Sequence, residues 1–301
     1  MTKVHSMNQA DDEAKRAISV VMPAYNEAVA IGPTLEAIKR ALATCDLENE
    51  IIVVDDGSTD NTSQEVLRHP TVRLIRHTQN QGYGASLKTG IRQARHDTVI
   101  IIDADRTYPC DMVPKLAEAI GPYDMAVAAR TGADVHVPLI RRPAKWALNR
   151  LANYLSEQEI PDLNSGLRAF KRSIALRFFR LLPSGFSFTT TITLAMLTND
   201  YNVLYMPSDY YPRQGASKIR PIRDTINFFS LVVRMILSFQ PLRVFMPVSL
   251  VFVLLSLGKI IYDVNAYDFH LATSTVVLVT LTFQTIVLGL IADLIVSLHK
   301  S

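Results

Sequence analysis

An apolar run that ends in two carboxylates constrains this chain most strongly. Three isoleucines at positions 100–102 are followed by Asp103, Ala104 and Asp105. An uninterrupted run of β-branched residues is typical of a strand that is buried on both faces of a parallel sheet. Ligands of open α/β sheets bind outside the carboxyl ends of the strands. We therefore expect Asp103 and Asp105 at a ligand-binding edge of a sheet.

The spacing of these two acids also indicates a metal site. Side chains one residue apart in an extended chain point the same way, so Asp103 and Asp105 can share one cation. A Mg²⁺ or Mn²⁺ ion held by one or two carboxylates usually completes its shell with substrate phosphates. The pair therefore predicts a metal-bound diphosphate. So short a pattern also fits two solvated acids in a turn, and the surrounding sequence has to decide between the two interpretations.

Short apolar segments and helical segments alternate along the first half of the chain. We predict strands at 18–22, 50–54, 72–76 and 125–129, and helices at 32–44, at 62–67 and in a segment that ends at 94. This alternation is typical of a parallel sheet with helices on both faces. Polar residues that follow successive strands should then meet at one sheet edge. They are Glu27, Asp55, Asp56, Asn80, Asp103 and Asp105.

Two long apolar stretches, at 242–262 and 273–298, predict an integral membrane protein. Each supplies the roughly 20 residues that a helix needs to span a bilayer. The segment 263–272 between them has no Lys or Arg, whereas arginines are frequent before the first stretch. The positive-inside rule therefore predicts a multi-pass protein of the cell (inner) membrane, with the part before residue 242 and both termini in the cytosol.

Four further features of the sequence bear on its contact with the membrane and on the ligands that are not expected. Apolar residues recur at helical spacing between basic residues at 221–240, which predicts amphipathic helices on the membrane surface, with a charged core helix as the alternative. The formal net charge of only +3 gives no indication of nucleic-acid binding. Cys45 and Cys110 are far apart, so neither zinc nor a disulfide framework is expected. Residues 1–17 are polar and read as a mobile tail without a signal peptide.

Four motifs, in this order and spacing, resemble family 2 glycosyltransferases with the GT-A fold. They are Val-Met-Pro-Ala-Tyr-Asn-Glu at 21–27, Val-Val-Asp-Asp-Gly-Ser-Thr-Asp at 53–60, Asn-Gln-Gly-Tyr-Gly at 80–84 and Asp-Ala-Asp at 103–105. Two further motifs, at 162–170 and 213–218, resemble the polyprenyl-phosphate branch of that family. This branch contains dolichyl-phosphate mannose synthase and bacterial undecaprenyl-phosphate glucosyltransferases.

The resemblance extends from residue 18 to about residue 220 and implies a domain organisation. A Rossmann-like mixed sheet with helices on both faces would occupy 18–215 as the GT-A catalytic domain. Amphipathic juxtamembrane helices would follow at 216–241. A two-helix transmembrane hairpin would complete the chain at 242–301. Relatives with this C-terminal segment can assemble through their membrane helices, so a homo-oligomer is a further expectation.

The implied activity is an inverting, metal-dependent transfer of one sugar from a UDP- or GDP-linked donor to a polyprenyl phosphate. Mg²⁺ or Mn²⁺ would be the cofactor. The alternative within enzymes is a glycosyltransferase that acts on a diacylglycerol, a ceramide or a polysaccharide, although the Gln-x-x-Arg-Trp motif of processive synthases is missing. The alternative of another class is a non-catalytic membrane scaffold that binds nucleotide sugars.

The resemblance also assigns roles to individual residues. Asp103 and Asp105 would hold the metal and the diphosphate. Thr107, the third predicted metal position, stands where many relatives have a glutamine. In catalysis, Arg130 would contact a phosphate, and Asp162 would bind the donor sugar or act as a base. The predicted nucleotide-sugar site comprises Pro23, Tyr25, Glu27, Asp55, Asp56, Asn80 and Gly82.

Two further groups of residues are open to more than one interpretation. The acceptor phosphate is predicted to meet basic and hydroxyl groups because guanidinium groups bind phosphate oxygens in a fork. These are Arg141, Arg142, Lys145, Arg213, Ser217 and Lys218; the alternative for Arg141 and Arg142 is an exposed helix position. The apolar segment 186–197 predicts a buried helix, and its threonines at 189–191 are the candidate lining of a sugar pocket.

Overall fold

The computed structural model describes residues 17–131, 150, 153, 159–185, 187–212, 241–266 and 272–300. These residues belong to two compact units, which are described separately: one holds 17–131 with 159–212, and the other holds the C-terminal helices. Of the predicted mobile tail at 1–17, only Ala17 is described, and it begins the first strand instead of belonging to a tail. Of the predicted amphipathic segment at 216–241, only Pro241 is described. The predicted acceptor-phosphate residues lie outside the described residues; they are Arg141, Arg142, Lys145, Arg213, Ser217 and Lys218.

A seven-stranded mixed sheet forms the centre of the first unit. Its strands are β1 (Ala17–Ala24), β2 (Glu48–Asp55), β3 (Val72–Arg76), β4 (Thr98–Ile101), β5 (Met125–Arg130), β6 (Arg168–Lys171) and β7 (Val203–Ser208). They lie in the order β3-β2-β1-β4-β6-β5-β7. Strands β1 to β4 are parallel, as predicted. Strand β6 runs antiparallel to β4 and β5, and this reversal makes the sheet mixed.

Helices cover both faces of this sheet. They are α1 (Ile31–Ala43), α2 (Thr62–Leu67), α3 (Tyr83–Gln93), α4 (Met112–Ala119), α5 (Arg172–Arg177) and α6 (Phe188–Leu197). Alternate strand residues face opposite sides. Accordingly, Val20 and Met22 of β1 pack in the cluster that includes α1 and α4, whereas Val21 lies against Gly90 of α3. The sheet is thus buried on both faces, which explains its long apolar runs.

Left-handed backbone conformations gather at the carboxyl edge of the sheet. Asn26, Gly57, Gly82 and Arg106 have φ values of 53°, 73°, 102° and 62°, and they follow β1, β2, β3 and β4 respectively. Such conformations are uncommon in residues other than glycine and cluster at functional sites. At Gly82 a Cβ atom would lie 2.6 Å from the carbonyl oxygen of Ser184. This loop therefore accepts only glycine at its tightest point.

The second unit contains two long apolar helices, α7 (Leu242–Ala266) and α8 (Thr273–Lys300). By length and composition both can cross a membrane, with mean hydropathies of 2.3 and 2.2. Most of their large side chains are exposed, as is suitable for helix surfaces that face lipid. The predicted pair of membrane helices therefore has a structural counterpart.

Small and polar residues at intervals of seven form the contact between α7 and α8, which we call the polar seam. On α7, Ser249, Ser256 and Asp263 are buried; on α8, Thr275 and Thr282 are buried. The hydroxyl oxygens of Ser256 and Thr282 are 2.8 Å apart. A seven-residue repeat is the pattern of left-handed helix pairing, and small residues let helices approach closely in a membrane.

Asp263 closes the polar seam at the turn between the two helices. Its carboxylate accepts hydrogen bonds from the Thr275 hydroxyl, from the backbone N–H of Ala272 over 2.8 Å and from Lys259 Nζ over 2.5 Å. The series on α8 continues to Gly289, where a Cβ atom would lie 2.7 Å from that of Phe245. The buried acid is therefore fully engaged within the hairpin.

Candidate active site

A cleft of about 350 Å³ opens at the carboxyl edge of the sheet. Most of the predicted donor and metal residues line it. These are Pro23, Tyr25, Glu27, Asp56, Asn80, Gly82, Asp103 and Asp105. Four other predicted residues, Asp55, Thr107, Arg130 and Asp162, are not part of its lining. The loops after four different strands thus meet at one site, as the pattern of the sequence predicts.

Asp103 and Asp105 follow β4, and a hydroxyl group orients each carboxylate. Tyr83 Oη donates to Asp103 Oδ1 over 2.9 Å, and Thr107 Oγ1 donates to Asp105 Oδ1 over 2.6 Å. The backbone N–H of Thr107 donates to the same oxygen over 3.2 Å. Burial, followed by the nearby charge of Asp103, raises the pKa of Tyr83 well above its ordinary value, so Tyr83 remains a neutral donor. The hydroxyl groups of Tyr83 and Thr107 therefore fix the orientation of the two carboxylates.

The donor set and the space around this pair fit a divalent metal ion. Carboxylate oxygens suit Mg²⁺ and Mn²⁺, which commonly take one or two carboxylates and complete their shells with phosphates and water. A Cβ atom at Gly166 would collide with the carboxylate of Asp103, so the glycine keeps space beside it. In the described part of the chain, no three His, Cys, Asp or Glu side chains cluster as a complete metal site. A substrate would have to supply the remaining ligands.

Thr107 lies next to the carboxylate of Asp105. It is completely buried, and its hydroxyl donates to Asp105. This is the position of a residue that orients a metal ligand, and such residues fix the geometry of the ligand itself. A direct contact between Thr107 and the metal stays a prediction.

Asp56 connects the loop after β2 to the loop after β3. Its Oδ1 accepts a hydrogen bond from the backbone N–H of Gln81 over 2.9 Å and lies 2.7 Å from His77 Nδ1. Its Oδ2 accepts from the backbone N–H of Gly82 over 2.8 Å. The acid therefore shapes the glycine-containing loop while it lines the cleft.

Asp55 is completely buried and engaged by its own loop. It accepts hydrogen bonds from the backbone N–H of Ser58 over 2.9 Å and from the Ser63 hydroxyl. Its neighbours thus hold the turn that follows β2. The predicted contact between Asp55 and a nucleoside stays a prediction.

Arg130 and Asp162 form a closed, largely buried ion pair. Arg130 Nε and Nη2 donate to the two carboxylate oxygens over 2.6 and 2.8 Å, and the Arg130 backbone N–H adds a third bond of 3.0 Å. Burial opposes ionisation of Asp162, but the hydrogen bonds and charge of Arg130 lower its pKa below the ordinary value. A carboxylate whose pKa is lowered in this way is a weak proton acceptor at neutral pH.

The cleft is also lined by four residues that were not predicted from the sequence. Tyr83, Asn164 and Gly166 lie within the motifs, and Ser86 lies just after one of them. Of the three candidate threonines, only Thr189 belongs to the lining; Thr190 donates to Asn164, and Thr191 donates to the Ser187 carbonyl over 2.8 Å. The sequence pattern predicts that the segment 186–197 is a buried helix. It does not predict which of the three consecutive threonines lines the cleft.

A completely buried arginine, Arg168, joins two of the segments that line the cleft. Its Nε donates to the carbonyl oxygen of Ser165 over 3.0 Å, and its Nη2 bonds to the same oxygen. Its Nη1 donates to the carbonyl oxygen of Thr189 over 2.9 Å and to the Thr193 hydroxyl over 2.6 Å. Burial lowers the pKa of Arg168. Arg168 lies within the motif at 162–170, but no role was predicted for it.

Two segments of the chain match known families. Residues 19–179 match Glycosyl transferase family 2, and residues 240–298 match the GtrB C-terminal hairpin. The chain is a family 2 glycosyltransferase. The glycosyltransferase is 32% identical, over 207 residues, to the dolichyl-phosphate hexose transferase of Haloferax volcanii; the alignment covers 68% of this chain and 87% of that relative.

A bacterial relative and a solved structure extend this comparison. The undecaprenyl-phosphate 4-deoxy-4-formamido-L-arabinose transferase of Pectobacterium atrosepticum is 31% identical over 237 residues, which cover 75% of this glycosyltransferase and 69% of the relative. Glucosyl-3-phosphoglycerate synthase from Mycobacterium tuberculosis, in complex with Mn²⁺, uridine diphosphate and phosphoglyceric acid, superposes with a TM-score of 0.58 at 22% identity, over 76% of this chain and 80% of that one. The GT-A fold and the resemblance to the polyprenyl-phosphate branch are thereby confirmed.

Proposed function

We propose that this glycosyltransferase moves one sugar from a UDP- or GDP-linked donor to a polyprenyl phosphate. The observation that carries the proposal is the oriented pair Asp103 and Asp105 in a cleft at the carboxyl edge of the sheet. The choice of acceptor is supported by the two relatives described above, whose names specify a dolichyl or an undecaprenyl phosphate.

The charge of the cleft supports a metal-dependent donor site. Four carboxylates, from Glu27, Asp56, Asp103 and Asp105, belong to its lining, and no Lys or Arg is among the described lining residues. Like charges in a cleft repel one another, so a diphosphate needs a counter-charge there. Mg²⁺ or Mn²⁺ held by Asp103 and Asp105 would supply this charge and stabilise the leaving diphosphate.

The acceptor phosphate supplies its own nucleophile. A phosphate monoester has a second pKa of about 6 and is therefore largely ionised at pH 7. One phosphate oxygen forms a bond to the anomeric carbon while the bond from that carbon to the diphosphate oxygen breaks. The nucleoside diphosphate leaves with the electron pair, and the configuration inverts. The lowered pKa of Asp162 and its pairing with Arg130 agree with a reaction that needs no protein base.

The protein then has to position two anions and balance their charge. Arg130 would contribute a guanidinium group near the reaction, and the remaining cations would come from the predicted acceptor residues outside the described part of the chain. These are Arg141, Arg142, Lys145, Arg213 and Lys218, with Ser217 as a hydroxyl donor. We further propose that the catalytic domain and both termini lie in the cytosol, and that α7 and α8 anchor it in the cell membrane.

A metal-dependence assay tests this function. The full-length protein in lipid nanodiscs would receive radiolabelled UDP-glucose or GDP-mannose, undecaprenyl phosphate and Mn²⁺. We expect Asp105→Asn and chelation each to abolish transfer, because the diphosphate then leaves without its counter-charge. Asp111→Asn is the matched control: this exposed acid pairs with Lys115 on the surface of α4 and does not line the cleft. Transfer that survives both chelation and Asp105→Asn would overturn the metal-dependent mechanism.

A further inference from the structure

A buried histidine, His77, follows β3 directly and has no role in the proposed reaction. Its side chain is only 8% exposed and is not part of the cleft lining. In the sequence it lies between the motifs at 53–60 and 80–84. Its backbone N–H donates to the carbonyl oxygen of Asp55 over 2.9 Å, which extends the pairing of β3 with β2 by one residue. The sheet therefore fixes the point from which the imidazole ring projects.

The imidazole ring of His77 bridges two segments of the chain. Its Nδ1 lies 2.7 Å from Asp56 Oδ1, and its Nε2 lies 3.0 Å from the hydroxyl oxygen of Thr89 in α3. An ionised carboxylate only accepts hydrogen bonds, so Nδ1 carries a hydrogen and donates it to Asp56. A threonine hydroxyl both donates and accepts, so it can satisfy Nε2 in either role. The chemistry of Asp56 thus assigns the donor of this contact to His77.

Asp56 connects His77 to residues 80–84, which we call the cleft loop. The carboxylate of Asp56 accepts hydrogen bonds from the backbone N–H groups of Gln81 and Gly82 over 2.9 and 2.8 Å. These two donors belong to the cleft loop and move with it. His77 supplies a third bond to the same carboxylate, and its ring is held by residues outside the loop. His77 therefore gives Asp56 a support that does not depend on the loop.

The cleft loop supplies three residues of the cleft lining, which are Asn80, Gly82 and Tyr83. Gly82 has a left-handed backbone conformation, and Tyr83 begins α3 directly after it. The hydroxyl of Tyr83 donates to Asp103 Oδ1 over 2.9 Å. Residues that orient a ligating side chain typically change affinity or activity by about 10–100-fold when they are replaced. A displacement of Asp56 would thus reach both the cleft loop and the carboxylate pair.

We propose that His77 is a positioning residue for the nucleotide site. Its Nδ1–H orients the carboxylate of Asp56, and Asp56 holds the cleft loop in the shape that binds the donor diphosphate with its metal. The proposal rests on the proposed function and adds a residue that acts on the site without lining it. A role in packing alone would need the volume of the ring, whereas this role needs an N–H group at the position of Nδ1.

The test compares two amide replacements of His77 by isothermal titration of the full-length protein in nanodiscs with Mn²⁺ and UDP or GDP. The amide nitrogen of Asn can occupy the position of Nδ1, so His77→Asn should bind the nucleotide as tightly as the wild type. The amide nitrogen of Gln can occupy the position of Nε2, so His77→Gln keeps the bond to Thr89 and loses the bond to Asp56. His77→Gln should weaken the nucleotide about tenfold. A packing role predicts the opposite order, because Gln is closer to His in volume.

Two further variants separate positioning from folding. His77→Leu has the branched shape of Asn without an N–H group; it should lose as much affinity as His77→Gln and replaces that variant if it does not fold. His69→Gln is the matched control, because His69 is 12% exposed and lies 2.9 Å from Glu36, away from the cleft lining. Its affinity should equal that of the wild type. Wild-type affinity in His77→Gln or His77→Leu, or equal losses in His77→Asn and His77→Gln, would overturn the inference alone. If neither UDP nor GDP bound the wild type with Mn²⁺, the proposed function would fail as well.

Discussion

The hydroxyl of Thr107 holds Asp105 in place, and we predict that Thr107→Val weakens divalent metal binding about tenfold. The lost bond is a hydrogen bond of 2.6 Å from a buried hydroxyl to a carboxylate. Hydrogen bonds to charged groups contribute about 1.5–3 kcal/mol, which corresponds to a factor of roughly 10–100 in affinity. The backbone N–H of Thr107 still holds the same oxygen in the variant, so the lower end of this range applies.

The assay is a Mn²⁺ titration monitored by electron paramagnetic resonance, with the full-length protein and saturating UDP, so that binding is measured without turnover. Thr191→Val is the matched control because it removes another buried hydroxyl of the same unit that does not contact an acid. Its affinity for Mn²⁺ should equal that of the wild type. A Thr107→Val variant that bound Mn²⁺ as tightly as the wild type would refute the orienting role of this hydroxyl.

Three further predictions follow from the ion pair, the hairpin and the topology. Because the pKa of Asp162 is lowered in the folded state, its ionised carboxylate stabilises the fold at pH values above the ordinary pKa of 3.8. This stabilisation is lost as the pH falls through the lowered pKa. Asp162→Asn should therefore flatten the acid side of the melting-temperature profile and lower stability at pH 7 by about 3 kcal/mol, while it retains measurable turnover; complete loss of turnover with intact donor affinity would instead demand a base. Thr282→Val should lower the melting temperature of the hairpin because it leaves Ser256 without its partner, whereas Thr280→Val, which removes an exposed hydroxyl bonded within its own helix, should not. A cysteine introduced at Asn265 should react with an impermeant thiol reagent in intact cells and one at Ser301 should not; the reverse pattern would contradict cytosolic termini.

The parallel half of the sheet and its acidic edge could be predicted from the sequence. A strand that is buried on both faces has to be apolar throughout, and its polar successors mark the point where it leaves the core. The run at 100–102 and the acids at 103 and 105 express both properties within six residues. The predicted helix at 62–67 was also correct, because the residues that limit a short helix are its neighbours in the sequence.

Contacts between distant segments could not be predicted in the same way. Strand β6 has only four residues and begins with the buried Arg168, so no local pattern marks it as a strand that runs opposite to its neighbours. The pair formed by Arg130 and Asp162 joins the end of β5 to a loop 32 residues later. The hydroxyl of Tyr83 reaches Asp103 only because α3 packs on β1, the strand that lies next to β4. Each of these contacts is a consequence of the folded chain.

The central claim is that the acceptor is a polyprenyl phosphate, and a competition between acceptors tests it most directly. The full-length protein in nanodiscs would receive its donor, Mn²⁺ and equal amounts of undecaprenyl phosphate, undecaprenol and diacylglycerol, and mass spectrometry would identify every lipid that gains a sugar. The account predicts a single product, undecaprenyl phosphate carrying one hexose, formed without a marked pH dependence above pH 7. Glycosylated undecaprenol or diacylglycerol as the main product would contradict it.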